Sequence, residues 1–236
     1  IGAQVSILAE AMGMRVLYHD HQPKLPLGNA IQVDSLDTLL QVSDVLTIHV
    51  PDTPLTQNLI DADAISKMKS NAFLLNNARG SIVDLGALAV ALRTGHLRGA
   101  AIDVFPEEPS ENDSSFGHEL CGIENVILTP HIGGSTHEAQ ENIARDVAEK
   151  MAKFLTTGST VGAVNLPEVA LRDRPDQLRI LHIHRNVPGV LSRLHATIAQ
   201  VGLNINAEAL ESSTNRSCVL LDVDPTNDPA VFEALG

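Results

Sequence analysis

The chain has 236 residues, 44% of them hydrophobic and 19% charged, with a formal net charge of −13 at pH 7. With no tryptophan, one tyrosine and no basic stripe, it offers neither a phosphate-binding face nor a stacking platform, which argues against nucleic acid as a partner. No apolar run reaches the roughly 18 residues a membrane helix needs, and Cys121 and Cys218 stand far apart without CxxC spacing, which points to a reducing compartment, the cytoplasm by default.

The sequence opens on Ile1-Gly2 with neither an initiator methionine nor a signal peptide, and reads as a piece of a longer chain. Residues 2–13 have helical spacing that Gly13 ends, and residues 15–20 read as a strand closing on Asp20. In a dinucleotide fingerprint the last glycine opens the first helix, and an acid about 20 residues on bonds the ribose hydroxyls. Gly2 and Asp20 fit those two places, although a strand ending in aspartate is also common. On the first reading the Asp20 carboxylate repels the extra phosphate of NADP, so NAD is the expected cofactor.

Next come units of about 25 residues: a strand at 44–50, a helix at 62–68, a strand from Phe73, a helix at 84–94 stopped by Gly95, and strands at 98–104 and 125–129. Such alternation with β-branched strands predicts an α/β fold, a doubly wound parallel sheet of Rossmann type. The stretch Phe73-Leu-Leu-Asn-Asn-Ala-Arg-Gly-Ser-Ile-Val-Asp84 is its centre: a buried strand, a turn carrying Arg79, a tight exit at Gly80 and a helix capped by Asp84. Arg79 falls at the strand's carboxyl end, where open α/β sheets bind ligands, and a guanidinium fork suits a carboxylate. Glu108 follows the strand at 98–104, and His131 follows the strand at 125–129. An arginine, a carboxylate and a histidine together bind an anion, move a proton and stabilise the protonated base. Spacing alone also fits a solvated acidic loop and a helix-entry histidine.

A long helix at 135–155 is expected to open on a capping box, Ser135-Thr-His-Glu138, and a turn-rich stretch at 165–175 reads as a linker. Beyond it a strand at 177–184, a helix at 187–201, strands at 203–210 and 217–223 and a helix from Asp228 give a β-α-β-β-α order. That is a ferredoxin-like domain without its last strand. The pattern therefore divides the chain into 1–133, 134–176 and 177–236. His182 and His184 share one strand face, but no further ligand stands at metal spacing, so no metal is expected.

Asn77-Ala-Arg-Gly80, the run Ala101-Ile-Asp-Val-Phe-Pro-Glu-Glu-Pro109 and Leu128-Thr-Pro-His-Ile-Gly-Gly-Ser-Thr136 resemble the three signatures of D-isomer-specific 2-hydroxyacid dehydrogenases, over residues 1–155. The resemblance implies that Arg79 binds the substrate's carboxylate and carbonyl, that Glu108 supports His131, and that His131 donates and accepts the proton during hydride transfer. It further implies that Asp20 holds the adenosine ribose, that Asp103 lies near the nicotinamide amide, and that backbone at Ala78 touches the cofactor. His184-Arg-Asn-Val-Pro-Gly189 with Gly202-Leu-Asn-Ile-Asn206 resembles an ACT domain, whose ligands bind between paired copies. That implies an amino-acid effector held by His184, Asn186 and Asn204, although the two asparagines also fit simple turn roles. The two resemblances imply cofactor binding for residues 1–133, the return helix and linker of a substrate domain for 134–176, and regulation for 177–236. Together the two halves resemble the serine-inhibited branch of the family, which implies D-3-phosphoglycerate as substrate, L-serine as effector and a homo-oligomer, by family expectation a tetramer. A dehydrogenase for another 2-hydroxyacid and a non-enzymatic NAD-binding regulator are the rival readings.

Overall fold

The computed structural model describes residues 1–21, 24–109 and 116–227, with Pro229, Val231 and Glu233. The chain divides into two compact units, Ile1–Gly133 and Gly134–Gly236.

In the first unit, helix α1 (Gly2–Ala11) precedes β1 (Leu17–Tyr18), which pairs in parallel with β2 (Ile31–Gln32). Helix α2 (Leu36–Val42) leads into β3 (Val45–Ile48), and α3 (Ala62–Lys67) into β4 (Phe73–Asn76). After a single 3-10 turn at Gly80–Ile82, α4 (Leu85–Arg93), β5 (Gly99–Ile102) and β6 (Val126–Leu128) follow. Strands β3 to β6 form one parallel sheet in sequence order, so all four carboxyl ends lie along one edge. Side-chain caps start α2, α3 and α4: Ser35, Asp61 and Asp84 accept the N–H of Thr38, Ala64 and Ala87 at 2.9–3.1 Å, and of these the Asp84 cap was expected from sequence. Leu74 on β4, Leu88 on α4 and Ile102 on β5 are fully buried in one core, each contributing about 1.5–3 kcal/mol of apolar burial.

The second unit opens with α5 (His137–Thr157), stopped by Gly158 in the left-handed conformation (φ +66°). The expected capping box is not formed. Thr136 is the cap, accepting the Ala139 N–H at 3.1 Å, and this shift by one residue places Glu138 too early in the helix to reach back to the cap's own N–H. Strand β7 (Leu178–Arg185), helix α6 (Val190–Gln200), β8 (Ile205–Ser212) and β9 (Arg216–Val223) complete the unit. Helix α6 begins three residues later than its apolar spacing predicts, because Gly189 takes φ +89° directly after Pro188. The antiparallel sheet has the order β7-β9-β8, so β9 sits inside the β7-α6-β8 crossover, a split βαβ arrangement. One face packs Val219, Leu221 and Val223 against Leu194 and Ile198 of α6. The opposite face is covered by residues read from sequence as a linker, with Val169 buried against Leu220 and Cys218. The helix expected from Asp228 falls largely outside the described residues.

Candidate active site

Asn76, the last residue of β4, is fully buried and uses both ends of its amide. Its Oδ1 accepts the Ala78 N–H at 3.1 Å, and its Nδ2 donates to the Arg79 carbonyl at 3.0 Å. This one side chain folds the turn that delivers Arg79 to the sheet edge, where the arginine is exposed. The guanidinium folds back onto the Ala78 carbonyl (Nη1 to O, 2.6 Å), and Ala78 itself is buried. Gly80 then runs against the next strand's exit: a Cβ there would stand 2.0 Å from the Phe105 carbonyl carbon and 2.5 Å from the Pro106 nitrogen. Its φ is unexceptional, so the requirement for glycine is one of space.

The loop after β5 is pinned in turn by its own acid, because Glu108 Oε1 accepts the Phe105 N–H at 3.0 Å. The same carboxylate meets His131 Nδ1 at 2.8 and 2.9 Å. Partial burial would raise the Glu108 carboxyl, but the Phe105 N–H and the His131 imidazole outweigh it and hold the group below its usual value. An acceptor-only carboxylate on Nδ1 fixes the ring proton there and leaves Nε2 for a substrate. His131 is also in the left-handed region (φ +51°), which costs a non-glycine residue about 1 kcal/mol or more. Asp103 Oδ1 accepts the His131 N–H at 3.1 Å and the Thr129 hydroxyl at 2.5 Å, and so holds this conformation.

The expected cofactor positions stand at the same kind of edge. Gly2 is the first residue of α1, and a Cβ on it would lie 3.1 Å from the His49 Cβ just past β3, so glycine lets the helix start close to the strand end. Asp20 lies two residues beyond β1, with Oδ1 3.3 Å from His21 Nδ1. A close helix start, an acid at a strand end and backbone at Ala78 are the features a dinucleotide needs, and they fit NAD.

The three expected effector residues are not brought together within one chain. His184 and Asn186 lie at the β7 exit, where Asn186 Nδ2 donates to the Ser213 carbonyl at 2.9 Å. Asn204 precedes β8 at the other end of the sheet, its Nδ2 donating to Asp224 at 2.8 Å. The β7-β9-β8 ladder of eight-residue strands separates them by about 25 Å. His182 Nδ1 lies 3.2 Å from His184 Nδ1, and among the described residues no group of three or more potential metal ligands occurs.

A parallel α/β sheet with a close helix start and an acid at a strand end, and with an arginine, a carboxylate-bound histidine and a second carboxylate along one edge, is the layout of a dinucleotide-binding domain. The chain belongs to the D-isomer specific 2-hydroxyacid dehydrogenase family, whose NAD binding domain matches residues 1–133. It is 50% identical to the D-3-phosphoglycerate dehydrogenase of Escherichia coli K12 over 230 residues, which is 98% of this chain and 56% of that protein. The Haemophilus influenzae protein of the same name is 50% identical over 228 residues, 97% of this chain and 55% of its own length. The chain thus spans about half the length of the curated relatives it matches. Among solved structures it is similar to the NAD-complexed D-isomer specific 2-hydroxyacid dehydrogenase of Lactobacillus delbrueckii, with a TM-score of 0.61 and 28% identity over 70% of this chain and 53% of that one. A Sporolactobacillus D-lactate dehydrogenase gives 0.59 and 34% over 68% and 51%.

Asn76, Thr129 and the close approach of Gly80 to Phe105 were not assigned roles by sequence reasoning. The available signal was an asparagine ending an apolar strand, since a buried amide has to satisfy both of its ends. Among the described residues no helix is long and apolar enough to cross a membrane.

Proposed function

We propose that the protein oxidises D-3-phosphoglycerate to 3-phosphohydroxypyruvate with NAD, the entry to L-serine biosynthesis, and is inhibited by L-serine. The observation that carries this reading is the 50% identity to D-3-phosphoglycerate dehydrogenases over nearly the whole chain, through the second unit as well as the first. The lactate and 2-hydroxyacid dehydrogenases it is similar to in structure are 28–34% identical and match about two thirds of it.

When bound, NAD supplies the hydride acceptor. Arg79 swings from the Ala78 carbonyl to grip the substrate carboxylate, orients the hydroxyl carbon and polarises the developing carbonyl. His131 Nε2 accepts the hydroxyl proton, and Glu108 stabilises the imidazolium that forms. Asp20 bonds the ribose hydroxyls and disfavours a 2′-phosphate, with Gly2, Ala78 and Asp103 completing the cofactor contacts. The first unit is the cofactor domain, residues 134–176 belong with a substrate domain, and residues 177–236 form an ACT domain. His184 and Asn186 of one copy and Asn204 of another hold the amino acid, which accounts for their separation within a single chain. Binding there favours one arrangement of an oligomer, expected to be a tetramer, and lowers turnover.

The test is NADH formation by the full-length protein from 3-phosphoglycerate with and without millimolar L-serine. Turnover that serine suppresses supports both parts. Turnover indifferent to serine removes the effector reading, and absence of turnover, with activity on another 2-hydroxyacid, replaces the substrate.

A further inference from the structure

We propose that Thr129 is a positioning residue for His131: its hydroxyl locks the Asp103 carboxylate onto the histidine's main chain, so that Asp103 holds the backbone while Glu108 alone holds the ring. The inference deepens the proposed catalytic role of His131 and rests on it.

The geometry divides two carboxylates between two parts of one residue. Thr129 leaves β6 with its N–H on the Ile102 carbonyl (3.0 Å), which fixes it to the β5 exit beside Asp103. Its hydroxyl donates to Asp103 Oδ1 at 2.5 Å, and that same oxygen accepts the His131 N–H at 3.1 Å. Pro130 stands between them without an N–H, so His131 offers the next backbone donor in the turn. A carboxylate held from both sides keeps His131 at φ +51° and its ring aimed so that Nδ1 meets Glu108.

Releasing Asp103 has a specific chemical consequence. When His131 takes a proton during turnover, an untethered Asp103 is drawn to the imidazolium and competes with Glu108 for it. The charge of Asp103 is already felt at Glu108, where it opposes ionisation. A threonine hydroxyl prevents the competition by a charge-assisted hydrogen bond that fixes one Asp103 rotamer. The ring then keeps one partner and one orientation through the catalytic cycle.

The experiment compares Thr129→Val, which deletes the donor at nearly constant volume, with Thr129→Ser, which keeps it, in the full-length protein with 3-phosphoglycerate and NAD. Thr129→Val is expected to lower kcat by about ten- to a hundredfold, the cost of a misaimed catalytic group, with any loss of NAD affinity through Asp103 well below the loss of kcat. Thr129→Ser is expected to restore most of kcat. Retention of parental kcat by Thr129→Val overturns the inference, as does a Thr129→Ser protein that is folded by circular dichroism but as impaired as the valine variant. If Thr129→Val does not fold, Thr129→Ala takes its place against the same two outcomes. His131→Ala is run in parallel: if it retains turnover the underlying catalytic reading fails, whereas if only Thr129→Val is silent the failure belongs to this inference alone.

Discussion

Gly80 lies against Phe105 so closely that a single added carbon would sit 2.0 Å from the Phe105 carbonyl carbon and 2.1 Å from its oxygen. The contact joins two of the three sequence signatures, since Gly80 closes the Arg79 turn and Phe105 anchors the Glu108 carboxylate through its N–H. Gly80→Ala is therefore expected to push the Phe105–Glu108 loop off its site. Stability should fall by about 1–3 kcal/mol or more, as for other overpacked positions, measured by urea denaturation. Activity should fall further than stability, because Glu108 loses its hold on His131.

The pair of Glu108 and His131 sets a pH signature. The Glu108 carboxyl is partly desolvated, but the Phe105 N–H and the imidazole hold it below its usual range. A carboxylate depressed in the folded state contributes stability above its unfolded value, roughly pH 4.3, and loses that contribution as pH falls through the depressed value. Denaturation of Glu108→Gln and of the parent should differ most above about pH 5, and the difference should shrink on acidification. A difference that grows as pH falls would contradict the assignment.

Arg79 is exposed, and its guanidinium rests on the carbonyl of its neighbour Ala78. Arg79→Lys is expected to raise the KM for 3-phosphoglycerate by about tenfold or more, because a point charge cannot replace a bidentate fork. The KM for NAD should stay near the parental value. Steady-state kinetics in both substrates check this.

Asn186 and Asn204 stand at opposite ends of the sheet, so the proposed effector site has to draw them from two copies. Asn186→Ala should raise the serine concentration for half-inhibition by about tenfold or more and leave the uninhibited rate unchanged. Since Asn186 Nδ2 also bonds the Ser213 carbonyl, the thermal midpoint should be recorded alongside. Normal inhibition of the variant would place the effector elsewhere.

Much of this was legible in the sequence because it depends on local pattern. Asp84 and Gly95 frame α4 as their residue types require, and the apolar run from Phe73 is the central strand. What was not legible depends on contacts distant in sequence or on short elements. Strand β2 has two residues and α2 seven, too few for a periodic signal. The cap of α5 moved from Ser135 to Thr136 because both residue types can cap and only the incoming chain decides. Residues 165–175 have the composition of a linker, yet the sheet face opposite α6 needs cover and Val169 supplies it. In the site, the meeting of Glu108 with His131 was expected from an acid and a histidine each following a strand. The roles of Asn76 and Thr129 became visible only once the turns around them were in place.

In the proposed reaction His131, held by Glu108, moves the proton, and the other roles depend on this one. It is tested most directly by the initial rate of NADH formation from 3-phosphoglycerate in the full-length protein and in His131→Ala, with NAD binding followed by fluorescence. The expected result is a loss of turnover of about a hundredfold or more with the Kd for NAD within about twofold. Turnover within about tenfold of the parent would contradict the account.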